Sequence, residues 1–246
     1  MSEISIPDNR HVEKAIILAF EFMFHINKSS EHKKTTTKKG DLRKHYVNLL
    51  SCFTKRNEEV TDEFLDNLNC IKETLNSDAK YILESDPAAK QLIEVIAIYP
   101  GFFAIFCYRI ANYLAKLSVP LLPRMMTEFA HRQTGIDIHP LATIGCPLSI
   151  DHGTGIVIGE TTVIGNNVKM YQGVTLGALS VNKSKASKKR HPTIEDDVIL
   201  YAGCTILGGG TVIGEKSIIG GNVWLTESVP AGSIVYHKSE TIIKKQ

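Results

Sequence analysis

A chain of 246 residues with 43% apolar side chains is long enough for one large domain or two modest ones, each with a true core. A formal charge of +2 is too small to make nucleic acid the expected partner. Cys52, Cys70, Cys107, Cys146 and Cys204 form an odd set without a CxxC pair, which argues against a disulfide framework or zinc ribbon and for reduced thiols in a cytoplasm.

Residues 1–10 are polar and lack the basic start and apolar core of a signal peptide. Residues 11–27 read as an apolar amphipathic helix, 28–40 as a basic linker, and 41–55 and 61–76 again as helices. Asp86-Pro87 has the chemistry of a helix start, since the carboxylate accepts from free amides and proline loses no hydrogen bond there. The apolar run 95–108 is too short to span a membrane, is interrupted by Pro100 and Gly101, and belongs in a core. Helices follow over 101–117 and 120–134, with Gly135 as the stop.

From residue 136 the pattern changes to a beat of six. Ile138, Ile144, Ile150 and Ile156 lead; Ile158, Ile164, Met170 and Leu176 restart it; Ile194, Leu200, Ile206, Ile213, Ile219 and Leu225 resume it. Every anchor is Ile, Leu or Met, and glycine often follows. Six matches neither strand alternation nor a helix. It is the signature of a parallel β-helix, in which three hexads close a triangular coil and the anchors stack inward. The expected organisation is therefore α+β: a helical domain over 1–135, a solenoid over 136–235 and a short charged tail over 236–246.

The beat alone suits a purely architectural solenoid equally well, so function must be read from the residues that interrupt it. There are three such places: Ile136-Asp137-Ile138-His139-Pro140, then Asp151-His152-Gly153-Thr154-Gly155, then Arg190-His191-Pro192 at the end of a stretch, 179–189, that leaves the beat altogether. A loop ejected from a solenoid is a usual place for function.

IDIHP, DHGTGIVIGET, YQGVTLGA and RHP, in this order on hexads behind a helical region containing DPAAK and YRI, resemble the serine O-acetyltransferases over about residues 80–225. The resemblance implies a left-handed β-helix that assembles as trimers with active sites between neighbouring chains, often as hexamers through the helical domain. It implies transfer of acetyl from acetyl-CoA to the hydroxyl of L-serine, giving O-acetylserine for cysteine synthesis, with L-cysteine as a feedback inhibitor in the serine pocket.

By motif match, His152 is the general base that such a hydroxyl needs at neutral pH, and Asp137 the carboxylate that steadies the resulting imidazolium. Asp86 and Asp151 would meet the ammonium of serine, Arg190 would grip its carboxylate bidentately, and His191 would add a second polar contact. Acetyl-CoA would lie on backbone amides at Gly177, Ala178, Ala202, Gly220 and Gly221, where small residues allow close approach. Lys183, Lys185, Lys188 and Lys189 are candidates for its phosphates. His139, beside Pro140, reads as a turn histidine without a role.

Three departures from the family pattern stand out. Ala178 replaces the second of two glycines, so a positive φ there would be strained. Lys189 stands where Asp is common. The chain ends in Lys-Lys-Gln rather than the Ile-terminated tail with which relatives bind O-acetylserine sulfhydrylase, so that complex is expected to be absent or weak. Competing readings are acetyl transfer to a sugar or other hydroxyl, a catalytically dead scaffold, and a metal-binding solenoid. The last is opposed by gaps of 13 and 39 between His139, His152 and His191, which offer no closely spaced zinc pair.

Overall fold

A computed structural model describes residues 6–25, 38–179 and 188–238. Lys183, Lys185 and the tail 241–246 lie outside the described residues. Among the described residues six helices precede fourteen short strands: α1 (Asn9–Phe24), α2 (Lys39–Leu50), α3 (Asn57–Ser85), α4 (Leu92–Ile98), α5 (Pro100–Lys116) and α6 (Leu122–Thr134). The apolar faces of α1, α3, α5 and α6 meet in one core, with Phe64, Phe102, Phe106 and Tyr108 almost fully buried. Among the described residues, no single helix is long and apolar enough to cross a membrane.

Two helix readings change. The helix expected over 61–76 is the centre of the 29-residue α3, whose polar N- and C-terminal turns hide its length in the hydrophobic pattern. Asp86 does not start a helix; it caps the end of α3, and its carboxylate accepts from the Ala88 amide at 2.8 Å in a turn that precedes α4. The Asp-Pro chemistry is as read, but it serves a turn. Gly135 ends α6 in the left-handed conformation, as expected.

The strands form a left-handed parallel β-helix with three faces. The first sheet joins Asp137–Ile138, Val157–Ile158, Thr175–Gly177, Thr205–Leu207 and Trp224–Leu225. The second joins Thr143–Ile144, Val163–Ile164, Thr193–Ile194 and Val212–Ile213. The third joins Leu148–Ile150, Val168–Met170, Ile199–Leu200, Ile218–Ile219 and Ile234–Val235. Their registers make three inward stacks: Ile138-Ile158-Leu176-Ile206-Leu225, Ile144-Ile164-Ile194-Ile213 and Ile150-Met170-Leu200-Ile219-Val235. Every anchor read from the beat takes its place except Ile156, which is buried in a corner just before a strand. The beat restarts at Ile158 because that corner is longer than its counterparts.

The helices close the open edge of the first coil. Tyr108 donates to the Ala142 carbonyl at 2.6 Å, and Arg109 donates to Ile144 and Gly145 carbonyls at 2.8 and 2.6 Å. The Arg109 guanidinium also forks onto Asp78 at 3.0 and 3.1 Å, and Asp78 accepts from the Leu148 amide at 2.8 Å. Both side chains are buried, so the pair must be matched donor for acceptor to be tolerated. Asp78→Ala should destabilise the protein by about 3 to 5 kcal/mol, because it leaves a buried guanidinium with unmatched donors. Breaking the exposed Arg43–Asp62 pair should leave the urea midpoint nearly unmoved. Equal losses for the two variants would show that Asp78 is no clamp.

Candidate active site

The interrupting motifs stand on two edges of the solenoid, on either side of the first sheet. The edge between the third and first sheets carries Asp151 and His152. There the first coil turns through residues 151–155, whereas later coils need only 171–173, 201–203 and 220–222. The additional residues are accommodated by left-handed backbone at His152 and Gly153, with φ of 57° and 86°, while Gly155 at 81° repeats the left-handed residue that the shorter corners also have at Gly173, Gly203 and Asn222. The lengthened corner is held down by Gly155 N–H donating to Gly135 and by Asp137 N–H donating to Ile156. The His152 side chain is 71% exposed on this bulge.

Around it stand its chain neighbour Asp151 and groups brought in from separated parts of the chain. Asp151 Oδ1 lies 3.7 Å from His152 Nδ1, beyond hydrogen-bond range, and Asp151 Oδ2 lies 3.9 Å from Lys169 Nζ. Lys169 is buried; it donates to the Ser85 carbonyl at 2.6 Å and sits over the Tyr171 ring at 4.8 Å. Asp86 accepts from the Tyr99 hydroxyl at 2.7 Å. That bond, the Ala88 amide and the charges of Lys169 and His152 hold the Asp86 carboxyl below the usual carboxylate range. The same bond, with burial and the Asp86, Glu94 and Asp151 carboxylates, pushes the Tyr99 phenol up to about 12. The Asp86 and Asp151 expected from sequence therefore do converge beside His152, at the junction of helices and solenoid.

Asp137, read from the motif as the partner of His152, is also engaged from the helical side. Its Oδ1 accepts from Arg124 of α6 at 3.0 Å, and Arg124 also pairs with Glu128. Sequence spacing could not anticipate a guanidinium arriving from α6. Glu128, His131 and Asp137 present donor atoms within 4.8 Å of one another, but Arg124 already supplies the cation for both carboxylates.

The edge between the first and second sheets carries the second group. Arg190 is paired with Glu160. Burial would push Glu160 up, but the hydrogen bond and charge of Arg190, with those of His139 and His191, hold it below its ordinary value. Thr161 Oγ1 accepts from the backbone amides of Arg190 and His191 at 2.9 and 3.1 Å, leaving its own proton for His191 Nδ1 at 2.9 Å. Nδ1 also accepts from the Thr161 amide at 3.0 Å. An amide can only donate, so Nδ1 is bare and the neutral ring carries its proton on Nε2. A side chain at Gly159 would meet this ring at 2.1 Å, so only glycine leaves room for it. His139 accepts from the Leu141 amide at 3.2 Å, as a turn histidine.

Lys189 donates to the carbonyls of Thr161 and His191, both at 3.0 Å. It straps this edge together. Lys188 is exposed nearby. The small residues expected to line acetyl-CoA also divide between the edges: Gly177 and Ala178 on this one, Ala202, Gly220 and Gly221 on the other. Ala178 is not among the residues with positive φ, so the anticipated strain is absent. Lys169, Tyr99, Arg124, Glu160 and Thr161 were not singled out from sequence. The only hint was Lys169 itself, a charge placed between two buried residues, Val168 and Met170.

No family model matches the chain. It is 52% identical over 182 residues to a plasmid-encoded serine acetyltransferase of Synechococcus elongatus, a match covering 72% of this chain and 57% of that protein. It is 44% identical over 164 residues to the serine acetyltransferase of Helicobacter pylori, covering 66% of this chain and 93% of that protein. Among solved structures, serine acetyltransferase isoform 3 of Entamoeba histolytica, in complex with cysteine, superposes with a TM-score of 0.81 at 32% identity, covering 94% of this chain and 84% of that one. Hexad coils bearing polar corner clusters define the hexapeptide-repeat transferase class. Within it, the chain belongs to the serine acetyltransferase family.

His191 should be neutral and protonated on Nε2 down to about pH 5. Burial, then the charge of Arg190, pushes its pKa from 6.5 to about 4. The unfolded chain binds this proton first, so stability should fall as pH drops from 6.5 toward 4. Imidazole nitrogen shifts test the arrangement: the parent should show a single tautomer with Nδ1 bare, and Thr161→Val, which loses the hydroxyl but keeps the donating backbone amide, should keep that tautomer; a proton on Nδ1 in either would overturn the assignment.

Proposed function

We propose that this chain transfers acetyl from acetyl-CoA to the hydroxyl of L-serine, yielding O-acetyl-L-serine and CoA, the first step of cysteine biosynthesis. The observation that carries this reading is the division of charge between the two edges. One edge offers Asp86, Asp151 and an exposed imidazole, suited to an ammonium and a hydroxyl. The other offers Arg190 and the Nε2–H of His191, suited to a carboxylate. One side of the coil separates them, roughly 15 to 20 Å at the strand rise. A single serine bridges no such gap, so the pocket is completed between neighbouring copies, in a trimer or a dimer of trimers.

In this reading His152 accepts the serine hydroxyl proton as the oxygen attacks the thioester carbonyl. The tetrahedral intermediate then collapses, the C–S bond breaks, and the imidazolium returns the proton to the departing CoA thiolate. Asp137, borne by the strand to which the His152 corner is hydrogen-bonded, supports the positive charge of that ring. The pantetheine arm follows the small residues Gly177, Ala178, Ala202, Gly220 and Gly221, and Lys188 stands near its phosphates. Cysteine, with a thiol in place of the hydroxyl, fills the same pocket as an inhibitor. The relative from Entamoeba was solved with cysteine bound. With its five cysteines unpaired, the protein works in a reducing cytoplasm.

Release of free thiol from acetyl-CoA, dependent on L-serine and compared with sugar acceptors, tests the activity directly. His152→Ala should lower turnover by about 10² to 10⁴. An unchanged rate in that variant eliminates the mechanism. Arg190→Lys should chiefly raise the KM for serine, because the charge stays while the planar fork is lost; a change confined to the KM for acetyl-CoA would mean that Arg190 serves the other substrate.

A further inference from the structure

Lys169 is the one buried ammonium at the His152 edge among the described residues, and the mechanism above makes no use of it. It sits on the outer face of the third sheet, in register with Ser149, under the C-terminal end of α3. Only 9% of it is exposed. Burying an ammonium is unfavourable unless local negative charge compensates for it. Here the compensation is specific: the Ser85 carbonyl at 2.6 Å, Asp151 Oδ2 at 3.9 Å and the face of Tyr171 at 4.8 Å. Asp151 is thereby shared, with one oxygen toward Lys169 and the other 3.7 Å from His152 Nδ1.

We infer that Lys169 is a positioning residue of the serine pocket, holding Asp151 beside His152 and setting the net charge that the imidazole and the incoming amine experience. The inference rests on the reading that His152 is the base. The groups facing this charge are Ser85 from the end of α3, Asp151 from the corner and Tyr171 from the next coil, with Asp86 within reach of its field; Tyr99 is bonded to Asp86, and His152 stands beside Asp151. With His152 neutral, Asp86 and Asp151 contribute two negative charges and Lys169 one positive. The remaining single negative charge matches one ammonium. Without Lys169 the two carboxylates would stabilise the imidazolium, and a base that is already protonated cannot accept the serine proton.

Lys169→Gln keeps a donor for the Ser85 carbonyl and removes the charge, whereas Lys169→Arg keeps the charge. In the Gln variant the His152 imidazole, titrated by NMR in the substrate-free protein, should become protonated at a pH higher by about one unit. The acid limb of kcat/KM for serine should move with it, and Arg should restore both toward the parent. The NMR titration needs no turnover, so it reports on Lys169 even if serine proves not to be the acceptor. A folded Gln variant with a parental His152 titration overturns the inference, as does an Arg variant that shifts as far as Gln. If Gln prevents folding, the double variant Asp151→Asn with Lys169→Met removes both charges as a pair and should titrate close to the parent; a shift there as large as that of Asp151→Asn alone also overturns it.

Discussion

The geometry of this molecule depends on how the open edge of its first coil is satisfied. A solenoid coil pairs its backbone with the coils on either side, but the first coil has a neighbour on one side only. Here the missing partners are side chains of two helices, Tyr108 and Arg109 of α5 and Asp78 of α3, which take up the carbonyls of Ala142, Ile144 and Gly145 and the amide of Leu148. Because Asp78 and Arg109 are also matched to each other in a buried site, the helices have one docking position rather than a range. The end of α3 is thereby fixed over the third sheet, two turns beyond Asp78, where Asp86 meets the corner that bears Asp151 and His152. The same contact that terminates the repeat thus assembles the acidic half of the site.

The other half is built by local means. Thr161 gathers the amides of Arg190 and His191 onto one hydroxyl, Lys189 ties the carbonyls of Thr161 and His191, and Gly159 leaves a seat for the imidazole. Nothing here depends on the helices. The first edge is therefore sensitive to how the helices dock and the second to the coil alone. This division explains how one sheet can separate two groups of residues that are read from a single set of motifs.

The repeat was legible because burial at every sixth residue leaves a regular trace, and three inward stacks account for all the anchors but one. Ile156 was misassigned because a lengthened corner shifts the phase while still burying an apolar residue. Asp86 was read as a helix start because Asp-Pro chemistry is shared by caps and turns; whether a helix follows depends on tertiary packing. The motif residues His152, Asp151, Arg190 and His191 were visible because they interrupt the beat, and their expected roles came from the resemblance those motifs carry. Lys169 and Arg124 were not, since each acts on a residue brought near by docking or by strand register. Thr161 was hidden for a chemical reason, as a threonine in a turn has many ordinary uses and its role emerges only from the three groups around its oxygen.

The lengthened corner at 151–155 has a wider consequence. Its additional residues project outward, while Ile150 and Ile158 on either side remain in their stacks, aligned with Met170 and Leu176. The scaffold tolerates the insertion because the faces on either side keep their register, and the vertex itself stays tied to its neighbours through Gly155 N–H to Gly135 and Gly173 N–H to Thr154. Chemistry can thus be added to such a rod at its vertices, a few residues at a time, without renegotiating the interior that keeps it folded.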